Sequence, residues 1–234
     1  MLDVLTQRIQ VHDLLEVDPE RFLAAARFRQ DPPPEWVDEC LHATPFVHVR
    51  RTLEIDLMIP VGVRGVSRAQ RWASFCHRHL VRSITSPQNL RAIQLPTSRT
   101  IAIPALHSLP VLETLWAGLD LLWGPAGSIG FELLTRRPVA TAESDLDILI
   151  YAEQRISKQH ATHLCNLVTL LPCQVDIRVE TGECGFSLRE YSSLSTNKLL
   201  LRTPWGEALG EDPWNVKSAH ATVEQATQLA RGCP

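Results

Sequence analysis

The sequence predicts a mixed α/β (α+β) protein, with a larger mixed-sheet domain preceded by a smaller N-terminal α+β domain. Two acidic segments, Ser144-Asp145-Leu146-Asp147-Ile148-Leu149-Ile150 and Val175-Asp176-Ile177-Arg178-Val179-Glu180, alternate polar and apolar residues with period two, which is a strand signal. A helical pattern from about Ser157 to Leu171 separates them, and strand–helix–strand is the grammar of mixed sheets. The charge is also divided. No acidic residue occurs between Asp56 and Glu113, whereas that span carries Arg64, Arg68, Arg71, Arg78, Arg82, Arg91 and Arg99 together with His77, His79 and His107.

Taken in order, His12-Asp13-Leu14-Leu15 opens the N-terminal part and a helix is expected from Pro19 to Arg29, ended by Asp31-Pro32-Pro33-Pro34. Alternation of Val47, Val49, Leu53, Ile55 and Leu57 predicts one or more strands from Phe46 to Met58. Pro60-Val61-Gly62-Val63-Arg64-Gly65 reads as a turn into a helix from about Ser67 to Arg82, with the arginines at helical spacing and Trp72, Phe75 and Leu80 as its apolar contacts. Ser83 to Pro110 reads as loops with one strand, Thr100 to Ile103, and places the domain boundary there: 1–103, then 104–214, then a polar peripheral tail, 215–234. Leu109, Leu112, Leu115, Leu119 and Leu122 mark an amphipathic helix with Ser108 as candidate N-cap. A strand near Leu121–Trp123, a Gly127-Ser128 turn, a helix from Ile129 to Leu134 and strands Leu146–Tyr151 and Gln174–Glu180 complete the larger domain.

At 234 residues and 44% hydrophobic, the chain can build one large core or two small ones. A formal charge of −3 argues against nonspecific nucleic-acid binding. No apolar run reaches the ~20 residues of a membrane span, and Met1 to Gln10 lacks an export signal pattern, so a cytoplasmic location is expected. The cysteines Cys40, Cys76, Cys165, Cys173, Cys184 and Cys233 form no C-x-x-C pair, and reduced thiols are the better reading than zinc or disulfides.

Strand alternation aims Asp145 and Asp147 to one side and Leu146, Ile148 and Ile150 into a core. Two carboxylates crowded on one strand repel each other unless a cation lies between them. Gly127-Ser128, opening a short helix, offers backbone N–H groups and a hydroxyl to a phosphate. If the second acidic strand pairs beside the first, Asp176 joins the pair as a third ligand for one or two Mg²⁺ ions. Taken singly, Asp-x-Asp could be a solvated strand edge, Asp176 an ion-pair partner of Arg178, and the arginine-rich segment a solvated face rather than a phosphate site. His160 and His163, lacking a third ligand, read as surface histidines. The order Gly-Ser, helix, Asp-x-Asp strand, helix, Asp strand is what favours a metal–phosphate site.

At these residues the chain resembles nucleotidyltransferases of the DNA polymerase β type, although the gap from Ser128 to Asp145 is longer than in the smallest members and falls on the Thr135–Glu143 loop. A closer resemblance, from His12 to about Pro204, is to the phosphoribosyl-dephospho-CoA transferases of malonate decarboxylase, or holo-acyl-carrier-protein synthases. It is carried by Pro60–Gly65 with Arg68, Gln70 and Arg71, by Gly127-Ser128-Ile129-Gly130-Phe131-Glu132-Leu133, by Ser144–Asp147 and by Val175–Thr181. The resemblance implies transfer from 2'-(5''-triphosphoribosyl)-3'-dephospho-CoA to a serine of the apo acyl-carrier subunit of malonate decarboxylase, with pyrophosphate released. It also implies Asp145 and Asp147 as catalytic residues, while the charge and hydropathy pattern points away from nucleic-acid and membrane partners and the three carboxylates point to Mg²⁺ as cofactor. Asp145, Asp147 and Asp176 are then the expected metal ligands, and Gly127, Ser128, Arg64, Arg68 and Arg71 the expected donor contacts. The competing readings are another nucleotidyltransferase (a citrate lyase-type carrier modification or protein adenylylation) and an inactive binding module with the same fold.

Overall fold

The computed structural model describes residues 4, 6–29, 32–53, 57–65, 67, 69–193 and 198–216. Expectations for Arg68, Ile55 and most of the 215–234 tail lie outside them. Two sheets, each with its own hydrophobic core, form a mixed α/β architecture.

The first sheet contains β1 (Leu14–Val17), β2 (Phe46–Val49), β3 (Met58–Arg64), β4 (Arg71–His77) and β5 (Val81–Thr85) in the order β4-β3-β2-β1-β5, with every pairing antiparallel. Alternation sends Leu15, Val17, Val47, Val49, Ile59, Val61, Val63, Trp72 and Cys76 into one face. There they meet Phe22, Leu23 and Ala26 of α1 (Pro19–Phe28) and Val37 and Leu41 of α2 (Glu35–Ala43). Asp18 caps α1 by accepting from the Arg21 amide at 3.1 Å, and Pro19 supplies a preset φ in its first turn.

The expected helix from Ser67 to Arg82 is instead the strand β4, a 3₁₀ turn at Arg78–Leu80 and β5. Arginines at helical spacing compete here with a period-two pattern (Trp72, Ser74 and Cys76 buried), and the burial pattern prevails. Pro60–Gly65 is correspondingly not a turn but most of β3, and a tight connection closed by Gly65 N to Gln70 O at 2.9 Å leads into β4. The arginines therefore scatter. Arg78 donates to the carbonyls of Val4 and Gln7, Arg82 pairs with Asp18, and Arg64 and Arg71 become cross-strand partners.

After β5 the chain forms α3 (Pro87–Leu90), α4 (Thr97–Ala102) and α5 (Pro104–Leu115). Thr100–Ala102 of the strand expected at Thr100–Ile103 is thus part of helix α4, entered from Pro96, and Ile103 alone is extended. α5 begins at Pro104, four residues before the expected cap. Ser108 is buried inside it and donates to Pro104 O at 2.8 Å, so the residue back-bonds within the helix instead of capping it. The second sheet then assembles from β6 (Leu122–Pro125), β7 (Leu146–Tyr151), β8 (Val175–Glu180), β9 (Gly185–Ser187), β10 (Leu199–Thr203) and β11 (Gly206–Gly210), in the order β11-β10-β9-β8-β7-β6. Among the described strands only β7 and β8 run parallel; the crossover between them carries α7 (Lys158–Val168), capped by Ser157. α6 (Gly127–Thr135) joins β6 to the loop before β7, and α8 (Leu188–Ser192) follows β9. Leu146, Ile148, Ile150, Val175, Ile177 and Val179 bury one face of β7 and β8. Among the described residues no helix is long and apolar enough to cross a membrane, and Cys40, Cys76, Cys165, Cys173 and Cys184 are free thiols.

The uncovered faces of the two sheets meet. Tyr151 Oη donates to Val11 O at 3.2 Å, and Leu14 packs in the second core. Buried Glu180 on β8 accepts from His12 Nε2 at 3.0 Å and pairs with Arg51. His12 adopts a left-handed φ of 75° to reach it. Burial and the guanidinium groups of Arg178, Arg51 and Arg64 push the His12 pKa down to about 3, so the imidazole is neutral and its donor nitrogen faces Glu180. His48 is likewise held at about 3 by burial and by Arg64, with His12, Arg50 and Arg71 adding to the effect. On the other flank Gly124 admits the backbone of α3: a Cβ there would lie 2.1 Å from the Pro87 carbonyl carbon.

Two outcomes follow from this join. Gly124→Ala must push the α3 backbone off β6, and a loss of about 1–3 kcal/mol is expected in denaturant unfolding. His12 and His48 stay neutral when folded but protonate near 6.5 when unfolded, so stability is full above that pH and falls as the pH drops towards 3. Between pH 7 and pH 5 each histidine should cost on the order of 2 kcal/mol. His48→Gln should flatten that part of the profile, and a wild-type profile already flat there would show the histidines to be charged in the fold.

Candidate functional site

Parallel pairing of β7 with β8 sets Asp147 directly opposite Asp176. Both project from the face that looks towards the first sheet, because Ile148 and Ile177 beside them point into the core. The Asp147 carboxylate lies against the first residue of α6. A Cβ on Gly127 would stand 1.9 Å from Asp147 Oδ2, and Gly127 has φ +59°, so both space and backbone require glycine here. The Ala126 amide donates to Asp147 O at 2.8 Å, strapping the start of α6 to β7. Gly127 and Ser128 thus open a nine-residue helix beside the carboxylate, where first-turn N–H groups have no intrahelical partner.

Burial and the neighbouring Asp176 raise the Asp147 pKa, Asp145 adds to the effect, and Arg178 and Arg64 oppose it. Asp176 is half-exposed and pairs only loosely with Arg178, at 3.9 Å. Asp145 precedes β7 and is exposed. Among the described residues no three His, Cys, Asp or Glu side chains gather into a closed ligand group. The carboxylates instead make an open acidic wall. Mg²⁺ is commonly held in this manner, through one or two carboxylates with substrate oxygens completing the shell. The crowded Asp147 with Asp176 in register, and Asp145 two residues away, fits such an ion.

The opposing wall is basic. Register places Arg64 beside Arg71 on the β3–β4 ribbon and His48 beside Gly62. The His48 ring packs against Gly62 of β3, where a Cβ would stand 2.6 Å from it. Burial lowers the Arg64 pKa, Arg71 and Arg178 lower it further, and Asp147 works the other way. Arg178 is depressed by burial and by Arg202, against the pull of Asp176 and Asp147. Among the described residues neither Arg64 nor Arg71 forms an ion pair. Several partly desolvated guanidinium groups with too few carboxylates form a receptor for a polyanion.

The structure therefore brings Gly127, Ser128, Asp147 and Asp176 together, with Arg64 facing them and Asp145 at the rim. Arg71 stands one strand further out, and Arg68 lies outside the described residues. Sequence reasoning missed Arg178, His48 and His12 as parts of this cleft. Arg178 had a usable signal, being two residues from Asp176 on the same strand face. His12 and His48 had none, since only tertiary pairing brings them here. Glu180 shares the Asp176 face, but it is buried and committed to His12 and Arg51.

Comparison with known proteins points in one direction. The family profile described as the phosphoribosyl-dephospho-CoA transferase MdcG N-terminal domain matches residues 10–87, and that of the MdcG C-terminal domain matches residues 90–213. A phosphoribosyl-dephospho-CoA transferase of Klebsiella pneumoniae is 35% identical over 215 residues, which is 87% of this chain and 95% of the relative. Proteins of the same name from Azotobacter vinelandii and Pseudomonas putida are 34% and 33% identical, covering 90% and 78% of this chain and 96% and 87% of their own lengths. No solved structure matches the chain significantly. With both domain profiles matched in tandem and relatives aligned over nearly their whole length, the chain belongs to the phosphoribosyl-dephospho-CoA transferase family.

Proposed function

We propose that this transferase moves the phosphoribosyl-dephospho-CoA group from 2'-(5''-triphosphoribosyl)-3'-dephospho-CoA to a serine hydroxyl of the apo acyl-carrier subunit of malonate decarboxylase, releasing pyrophosphate. The observation that carries this reading is the pairing of Asp147 with Asp176, against Gly127 at the start of α6, with Arg178 beside Asp176 on the same strand face and Arg64 opposite. Such an arrangement has a place for a triphosphate and for the charge that develops when its α–β bond breaks. The second unit is read as a nucleotidyltransferase domain of the polymerase β type, supported by the order of α6, the Asp-x-Asp strand, α7 and the parallel Asp176 strand.

In this reading Asp145, Asp147 and Asp176 hold Mg²⁺, which supplies neutralising charge at the triphosphate. Arg64, Arg71 and Arg178 bind the anionic groups of the donor, with Arg68 assigned to the same role from its place in the sequence. The N–H groups and hydroxyl of Gly127 and Ser128 take a phosphate oxygen. The serine oxygen attacks the α-phosphorus, the bond to the pyrophosphate oxygen breaks, and the serine proton leaves to solvent or base as the phosphodiester forms.

Mass spectrometry of the apo carrier subunit after incubation with the donor and Mg²⁺ should show addition of the phosphoribosyl-dephospho-CoA group. Adenylylation of the carrier from ATP instead would favour the adenylylating alternative. Asp147→Asn should lower turnover by about 100-fold or more while melting like the wild type; retained turnover would remove the metal–phosphate assignment. For Arg64→Ala the donor KM should rise about tenfold with a smaller change in kcat, the cost of one charge-assisted contact of about 1.4 kcal/mol. An unchanged KM would free Arg64 from donor binding.

A further inference from the structure

Asp147 and Asp176 are fixed by the β7–β8 ladder, but Asp145 is not, since it is the last residue of the ten-residue loop, 136–145, that precedes β7. What fixes that loop is a carboxylate. Glu132, on α6 and 1% exposed, accepts from Arg99 Nε at 2.6 Å and Arg99 Nη2 at 3.0 Å. Its Oε2 also accepts from the backbone amides of Val139 at 2.9 Å and Ala140 at 2.8 Å. Arg99 donates in turn to the Ala140 carbonyl. Immediately after this knot Thr141 N donates to Ser144 Oγ at 2.9 Å and Ser144 N to Thr141 O at 3.0 Å, closing a turn whose next residue is Asp145.

A buried ion pair is a poor route to stability alone, because desolvation offsets most of its attraction. Its particular yield here is to satisfy amides in a loop with no strand partner and so to dictate the path of that loop. We propose that Glu132, Arg99 and Ser144 are positioning residues that hold Asp145 at the rim of the acidic wall so that it can share a divalent cation with Asp147. The proposal rests on the metal–phosphate reading above. Outer partners that orient a metal-ligating carboxylate typically change metal affinity by about 10- to 100-fold when removed.

The test is direct titration of the full chain with Mn²⁺, followed by electron paramagnetic resonance in the absence of donor. Ser144→Ala, which alters one exposed turn, and Glu132→Gln should both weaken Mn²⁺ binding by about 10- to 100-fold. Leu41→Ala, which loosens the first core far from the loop, should lower the melting temperature and leave Mn²⁺ affinity unchanged. Wild-type affinity in folded Ser144→Ala and Glu132→Gln, with binding lost in Asp147→Asn, would overturn this proposal and spare the proposed function. An equal weakening in Leu41→Ala would also overturn it, since stability alone would then explain the effect. A wild-type chain that binds no Mn²⁺ would overturn both.

Discussion

The parallel register of β7 and β8 is the constraint on which the rest of the molecule depends. It sets Asp147 opposite Asp176, and it does so only because α7 makes the crossover and shields the apolar side of both strands. With that side filled by Leu146, Ile148, Ile150, Val175, Ile177 and Val179, the opposite side is left to carry polar residues and receive another layer. The first sheet is that layer. Its own helices cover its far side, and the two remaining faces enclose Asp147, Asp176 and Arg178 on one wall and Arg64 and Arg71 on the other.

The charges in this cleft do not cancel pairwise. Asp147 is pushed towards its neutral form by burial and by Asp176, while burial together with Arg71 and Arg178 pushes Arg64 away from its charged form, and burial together with Arg202 does the same to Arg178. Each wall is uncomfortable alone and only partly relieved by the other. In the proposed function, a cation at the acidic wall and an oligophosphate between the walls would relieve both at once. The family to which the chain belongs, defined by transfer of a highly anionic group, agrees with that electrostatic demand.

How much of this was legible in the sequence depended on whether one local pattern ruled. β7, β8 and α7 read cleanly because apolar alternation in the two strands agreed with the helical pattern between them. Arg71–His77 did not, since arginines at helical spacing obscured the alternation of Trp72, Ser74 and Cys76, and only packing against α1 decides between the two. Thr100–Ile103 read as a strand, yet it lies between Pro96 and Pro104, and all of it but Ile103 winds into helix. At the site, the Asp pair and Gly-Ser announce themselves through spacing. His12 could not, because its partner Glu180 stands 168 residues away and the two meet only across the join between the sheets.

That join has a consequence for how such chains can be recombined. Glu180 belongs to the second sheet, but the groups that make its burial tolerable, His12 and Arg51, belong to the first. Gly185 adds a third condition, because a Cβ there would come within 2.7 Å of the same carboxylate. The two halves are therefore not interchangeable modules. A chimera that exchanged the first half without carrying suitable donors at positions 12 and 51 would strand a buried negative charge beside the cleft.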